Sequence, residues 1–201
     1  SVASIKADVA DSLLPDMVVR YSMMGEGSQL ALIGILRQLK VDGVVSNPFA
    51  TSTPTVDETE VGYGIGAAGN IGLSDVTDFK FMVLGGRGVG RYTGLAFTPD
   101  VEVENDGSSI EAVDHIAFNI AVAHRFSQKW RANIGFGMQN ADVKGDKLSD
   151  QSWSGTANLM YSPVRNVTLG AEIKHGERAL VDGSDGNQTR LQFGAKYSFG
   201  T

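Results

Sequence analysis

The sequence of 201 residues contains no cysteine. This absence excludes disulfide bonds and thiol catalysis, and it is compatible with an oxidising compartment. No apolar run approaches the roughly 18 residues that a transmembrane helix needs. If the chain enters a membrane, it has to do so as a β-barrel, because only helices and closed barrels satisfy the backbone in lipid. The chain begins at Ser1 without a signal-like segment, so we expect a removed leader or a start within a longer protein.

Strict alternation of apolar and polar residues marks the region 190–199. Its odd positions are apolar, and its even positions are polar or small. Such a period of two is typical of a β-strand whose faces meet two unlike environments. Ten residues at about 3.4 Å each, tilted by about 45°, roughly match a bilayer core, whereas strands of soluble sandwiches are usually about 5–6 residues long. The pattern favours a strand with lipid on one face and an aqueous lumen on the other.

The same alternation recurs along the chain and predicts about nine strands. They cover residues 17–24, 29–41, 60–71, 78–85, 113–126, 129–140, 152–162, 166–175 and 190–199. Short turns alternate with long loops, which we predict at 42–59, 86–112, 141–151 and 176–189. Outer-membrane barrels have short periplasmic turns and long extracellular loops. We therefore predict an all-β fold, a transmembrane antiparallel up-and-down β-barrel.

Two predicted strands depart from simple alternation. Strand 29–41 is apolar on both faces, so its inward face stays unassigned; one interpretation is packing against a neighbouring subunit. Strand 60–71 carries Gly62, Gly64 and Gly66 on one face. Glycines at such positions predict either the close approach of another backbone or a crowded lumen.

The predicted strand number is odd, whereas a bacterial single-chain barrel normally has an even number and both termini in the periplasm. We therefore expect residues 1–201 to form a single barrel segment, the C-terminal portion of a larger barrel. A hidden strand near residues 4–10 would remove this argument.

Three motifs resemble the DcaP-like trimeric porins of Gram-negative outer membranes. They are Gly86-Arg87-Gly88-Val89-Gly90-Arg91-Tyr92 with the later Pro99-Asp100, then Tyr161-Ser162-Pro163, and finally the closing strand 190–199. The resemblance covers the chain from about Leu14 onward. It implies a 16-stranded barrel, a homotrimer, and passage of small anionic solutes such as dicarboxylates. The family's N-terminal half is missing, and Gly200-Thr201 extend past the aromatic residue at which such proteins usually end.

Charge is unevenly distributed along this chain of formal net charge −6. Acids concentrate in loops and turns, whereas the polar strand faces are basic. A basic wall in a narrow pore enriches anions. We predict an anion-selective pore whose lining or solute-contacting residues are Arg20, Lys80, Arg87, Arg91, Arg125, Arg131, Lys174, Arg190 and Lys196. The alternative is that basic residues near strand ends meet phosphates or loop carboxylates.

The predicted loop 86–112 is either extracellular or folded into the pore. Its glycine-rich start resembles a phosphate-binding loop, but no helical pattern and no Lys-Ser/Thr follow, which argues against a nucleotide site. Two roles remain for Arg87 and Arg91. Their guanidinium groups either grip solute carboxylates bidentately or pin the loop to neighbouring acids.

No pattern in the sequence predicts chemistry. His115 and His124 lie on the predicted strand 113–126 and His175 on the predicted strand 166–175, without the ligand spacing of a metal site, so we expect no metal and no cofactor. A barrel phospholipase needs Ser, His and a polar orienting group together, and no such set is evident, so we expect no enzyme activity. Expected partners are outer-membrane lipid, lipopolysaccharide and small anionic solutes, and not nucleic acid. A non-conducting structural or adhesive barrel and a soluble β-sandwich binding protein are the competing hypotheses.

Overall fold

The computed structural model describes residues 5–7, 14–44, 55–93, 97–103 and 109–199. Within these ranges the chain forms twelve strands and one short helix. They are β1 (Ile5–Ala7), β2 (Met17–Gly25), β3 (Ser28–Val44), β4 (Thr55–Ser74), β5 (Thr77–Arg87), α1 (Gly90–Thr93), β6 (Val101–Val103), β7 (Ile110–Ala112), β8 (Asp114–Arg125), β9 (Trp130–Ala141), β10 (Ser149–Tyr161), β11 (Val167–Leu180) and β12 (Asp185–Tyr197).

The nine long strands form one antiparallel sheet in the order β2-β3-β4-β5-β8-β9-β10-β11-β12. Each strand pairs with the next long strand in the chain, so the predicted up-and-down arrangement of nine strands is confirmed. The described sheet is not closed, and β2 and β12 form its two edges. The strand suspected near residues 4–10 exists as β1, but it pairs with β6 in a separate three-stranded sheet and leaves the count of long strands unchanged.

The two faces of the large sheet differ sharply in polarity. The face shared by Ile65, Ile134 and Phe193 is apolar, and these side chains are 75%, 67% and 73% exposed. So large an exposed apolar surface is unusual in a soluble monomer, but a bilayer covers it. The opposite face carries the polar and basic side chains of the alternating pattern. We call these the lipid face and the polar face.

Part of the chain between β5 and β8 folds back onto the polar face. Residues 88–93 and 97–100, which we call the inner segment, place Val89 in a buried cluster with Ile35 and Leu84. The glycines of β4 make room for this contact. A Cβ atom on Gly64 would lie 3.0 Å from Val89 Cγ1, and one on Gly62 would lie 3.3 Å from the carbonyl oxygen of the inner segment's first residue. The predicted close approach of another backbone to this glycine face is therefore confirmed.

Strand β3 is apolar on both faces because each face has an apolar neighbour. On the polar face, Leu39 and Val41 pack with Val101 and Val103 of β6 in a second buried cluster. On the lipid face, side chains such as Leu36 are exposed. The chain itself therefore covers the second apolar face of β3, and the strand's pattern needs no neighbouring subunit to explain it.

Two predicted loops are shorter than expected, because the strands continue beyond their apolar parts. Strand β3 runs to Val44, and β4 begins at Thr55; residues 45–54 of the predicted loop lie outside the described residues. Strands β11 and β12 remain paired up to Ala179 and Asp185, within the predicted loop 176–189. Alternation detects contact with lipid, whereas polar strand ends pair through backbone groups that every sequence possesses.

Helix α1 begins at Gly90, within the glycine-rich run, after which the sequence predicted no helix. It has four residues, and the Thr93 hydroxyl donates to the Gly90 carbonyl at 2.9 Å. A single turn shows no 3.6-residue periodicity, so pattern analysis does not detect it. No helix in the described ranges is both long and apolar enough to cross a membrane.

Candidate functional site

A cleft of about 630 Å³ separates the inner segment from the polar face of β8 to β12. Thr93 and Phe97 line it on the side of the inner segment. The facing wall presents amides, hydroxyls, cations and one carboxylate, contributed by Asn119, Gln139, Ser152, Ser154, Lys174, Glu177, Arg178, Gln188 and Arg190. Its volume lies within the roughly 300–1,000 Å³ of small-molecule sites. The cleft can therefore admit a small polar or anionic solute.

Three of the predicted cations, Lys80, Lys174 and Arg190, lie in one row across the polar face. The row follows the strand register from Lys80 through Ala121, Gly135 and Thr156 to Lys174 and Arg190. Because the intervening side chains are small, the three exposed cations stand above the wall around them. A second cleft of about 450 Å³ contacts both lysines and lies beside the first.

This row carries more positive than negative charge. Arg190 Nη2 lies 3.7 Å from Glu172 Oε1, a loose ion pair. In the described part of the chain, neither Lys80 nor Lys174 forms an ion pair with a carboxylate. Uncompensated cations on a low-dielectric wall attract anions.

Four further predicted cations share the polar face but do not line either cleft. Arg20 Nε bonds Ser22 Oγ at 3.2 Å, and Lys196 is exposed. Arg125 and Arg131 are cross-strand partners at the turn between β8 and β9. Arg125 donates to a backbone carbonyl of the preceding turn, and Arg131 donates to a methionine sulfur at 3.2 Å. The structure thus places these four on the predicted face, towards the short turns.

Arg87 and Arg91 also lie outside the clefts, and both contact acids. Arg87, at the end of β5, has Nη2 3.7 Å from Glu111 Oε1. Arg91 has Nε 3.4 Å from Asp100 and Nη1 3.6 Å from Asp16. Of the two roles considered for this pair, these contacts fit pinning of the loop.

Arg37, whose side chain is 1% exposed, was not among the cations predicted from the sequence. Its Nε donates to Asp16 Oδ2 at 2.9 Å, and its Nη1 donates to the Gly88 carbonyl. Nη1 also forms an ion pair with Asp100 Oδ2 at 3.0 Å. The guanidinium also lies 5.5 Å from the centre of the Tyr92 ring. We call these five residues the Arg37 cluster. A charge within a strand that is apolar on both faces was the available signal, because a buried cation requires partners.

Hydrogen bonds set the protonation of this cluster. The Tyr92 hydroxyl donates to Asp16 Oδ2 at 2.7 Å. Partial burial opposes ionisation of Asp16, but the hydrogen bonds from Tyr92 and Arg37 outweigh it and lower the pKa of Asp16. Burial, and then the bond to Asp16, raises the pKa of Tyr92. At neutral pH the cluster and Arg91 together hold two cations and two carboxylates, so they add no net charge to the lumen.

The histidines bond to threonine hydroxyls. His115 Nδ1 lies 2.9 Å from the Val113 carbonyl and therefore carries its proton, so Nε2 accepts from the Thr98 hydroxyl at 3.1 Å. This bond ties the inner segment to β8. His124 and His175, on the lipid face, each lie 2.8 Å from a threonine hydroxyl of the neighbouring strand. The described ranges contain no group of three or more His, Cys, Asp or Glu that could hold a metal ion.

Acids of the loops also find partners within the loops. Buried Glu102 accepts from the backbone nitrogen of Lys144 at 2.9 Å, while Lys144 Nζ pairs with Glu111. Lys147 bonds Asp182, and this bond is the main reason why the pKa of Asp182 is low. Part of the acidic excess is therefore neutralised locally, away from the row of cations.

No family model and no curated protein sequence matches this chain, but solved structures do. The outer membrane channel DcaP of Acinetobacter baumannii matches with a TM-score of 0.80 and 18% identity, over 99% of this chain and 56% of its own. OmpT, an outer membrane protein of Vibrio cholerae, matches in its in-vitro folded form with a TM-score of 0.55 and 13% identity, over 90% of this chain and 55% of its own.

The chain spans about half the length of these solved structures. Both are outer-membrane proteins, which agrees with the predicted location in a Gram-negative outer membrane. The likeness also confirms the fold predicted from alternation and from the three motifs. We conclude that the chain shares the fold of the outer membrane channel DcaP over almost its whole length.

Proposed function

We propose that the chain forms part of the wall of a passive outer-membrane diffusion channel that prefers small anionic solutes of the carboxylate type. The observation that carries this proposal is the row of Lys80, Lys174 and Arg190, which faces two open clefts. Among the described residues, the one ion pair of these three cations is the loose contact of Arg190 with Glu172. The lining of the two clefts contains four cations, the three of the row and Arg178, against one carboxylate, Glu177. DcaP, whose fold the chain shares, is an outer membrane channel.

The chemistry of the cleft suits a carboxylate in transit. Arg190 offers a planar fork of donors, and Lys174 offers a compact charge. The nearby amides of Asn119, Gln139 and Gln188 replace water around a partly desolvated anion. Each of these contacts binds the solute only weakly. Conduction requires such weak binding, because a solute has to leave the cleft as readily as it enters. No covalent step is needed, so we propose a channel and not an enzyme.

The proposal includes a homotrimer that contacts lipid and lipopolysaccharide. The exposed lipid face supports the lipid contact. The trimer rests on the resemblance to DcaP-like porins, since the apolar pattern of β3 is explained within the chain.

The test is the reversal potential of the full-length protein in a planar bilayer under a salt gradient. We expect an anion-selective potential that a dicarboxylate shifts. Changing Lys174→Gln together with Arg190→Gln should reduce the anion-to-cation permeability ratio several-fold, since two cations leave the cleft wall. The matched control is Lys129→Gln, an exposed cation in a short turn, which should leave the ratio unchanged.

A cation-selective wild-type potential would overturn the proposal. Absence of any conductance would instead favour a non-conducting structural barrel. One observation speaks for that second candidate: the inner segment and strands β6 and β7 cover part of the polar face.

A further inference from the structure

We propose that Arg37 is a positioning residue that holds the inner segment against β3 and thereby sets the width of the cleft. The inference rests on the proposed function, because it assumes that solutes pass this cleft. It adds a residue that makes no contact with the solute.

The contacts of Arg37 join three separate parts of the chain. The Gly88 carbonyl is at the start of the inner segment, Asp100 is at its end, and Asp16 precedes β2. A guanidinium has five donors in a planar fork, so one side chain can serve all three acceptors at once. Tyr92, between the two ends of the segment, packs against the guanidinium and donates to Asp16. Both ends of the inner segment are therefore bonded to one side chain of β3.

Burial makes these contacts dependent on one another. The side chains of Asp16 and Asp100 are only 18% and 9% exposed. Without Arg37, the remaining cation near them is Arg91, whose atoms lie 3.4–3.6 Å away and whose side chain is 49% exposed. Two carboxylates in a partly buried site with a single, looser cation favour hydration and separation. The inner segment would then move away from β3.

Movement of the inner segment changes the cleft directly. Thr93 and Phe97 lie between the two ends bonded to Arg37, and they form the cleft side that faces Lys174. The Thr98–His115 bond and the packing of Val89 do not involve Arg37. We therefore expect loss of Arg37 to loosen the segment without unfolding the sheet.

The absence of native cysteine permits a direct test. Val89, whose side chain points from the inner segment into the buried cluster with Ile35 and Leu84, is fully buried. Val89→Cys should therefore react slowly with a charged thiol reagent in the full-length protein in membrane vesicles. Adding Arg37→Ala should raise the labelling rate by about tenfold or more, because labelling follows the population of opened segment. Arg37→Lys should give an intermediate rate, since an ammonium keeps the charge but lacks the planar fork.

The matched control is Arg20→Ala, on the same face of the neighbouring strand, where the side chain is exposed and bonds only Ser22 among the described residues. It should leave the labelling rate unchanged. In planar bilayers, Arg37→Ala should also give a larger and noisier single-channel current than Arg20→Ala.

An unchanged labelling rate in folded Arg37→Ala, or an equal rise in Arg20→Ala, overturns the inference. Folding is checked by heat-dependent mobility in gels. If Arg37→Ala does not fold, Asp100→Asn removes one anionic partner and should still raise the labelling rate several-fold; no rise overturns the inference.

The labelling rate does not depend on whether the channel conducts, so the two proposals can fail separately. A cation-selective channel with faster labelling in Arg37→Ala would reject the proposed function alone, and an anion-selective channel with unchanged labelling would reject the role of Arg37 alone.

Discussion

Burial separates two kinds of cation in this protein. Arg37 has almost no exposed side-chain surface, and it bonds two carboxylates and a carbonyl. Lys174 is exposed beside a cleft and forms no ion pair in the described part of the chain. A cation already bonded to fixed partners positions the chain, whereas an uncompensated one attracts mobile anions.

Glycines decide how closely the inner segment approaches the wall. Gly64→Val should lower the free energy of unfolding by about 1–3 kcal/mol, because even its Cβ would meet Val89 Cγ1 at 3.0 Å and the larger side chain overpacks the contact. Unfolding by guanidinium in liposomes measures this change.

The control for that prediction is Gly34→Val in β3, where an added Cβ meets no atom within 4 Å. Its effect should stay within about 0.5 kcal/mol. Equal losses for the two substitutions would mean that the contact with Val89 does not explain the glycine at position 64.

At the scale of elements, strand β9 shows how two solvents shape one strand. Ile134 lies on the lipid face and is 67% exposed, while the adjacent Asn133 on the polar face donates to Asn158 at 2.7 Å. Ile134→Arg should destabilise the membrane-embedded protein by about 2–4 kcal/mol, because a charge then faces lipid near the middle of the apolar stretch.

Asn133→Arg, one position away, should cost only about 1 kcal/mol, the value of the lost hydrogen bond. Free energies of unfolding in liposomes compare the two variants. Similar losses for both would contradict the assignment of one face to lipid and the other to water.

Strand β3 shows a different principle at the same scale. Its two apolar faces suggest a partner subunit when the sequence is considered alone, yet its polar-face neighbours come from β6 and the inner segment. The apolar or polar residues on each face of a strand indicate the environment that the face contacts. For one face of β3, that environment is a distant part of the same chain.

The whole molecule combines a net charge of −6 with a row of three cations, of which Arg190 alone forms an ion pair among the described residues, and that pair is loose. Loop acids such as Glu111 and Asp182 pair with loop lysines, so net charge does not predict the field in the cleft. Electrostatic selectivity of this origin should weaken with salt. The chloride-to-potassium permeability ratio should fall towards one between 0.1 M and 1 M salt, as the Debye length shrinks from about 10 Å to about 3 Å.

Reversal potentials at the two salt concentrations test this prediction. The Lys174→Gln and Arg190→Gln double variant should show a weaker salt dependence than the wild type. A ratio that does not change with salt would show that direct contact or size, and not the field of the row, sets selectivity.

The sequence by itself determined the nine strands, their up-and-down order and the polarity of their faces, because alternation is a local property of each strand. The sequence also placed Lys80, Lys174 and Arg190 on the polar face, because the same period of two decides on which face of its strand each side chain lies. Only the tertiary structure decided the lengths of the polar strand ends, the short helix and the course of the inner segment. Those features depend on contacts between residues far apart in the chain, such as Arg37 with Asp100 and Leu39 with Val101, and no local pattern encodes which distant residues will meet.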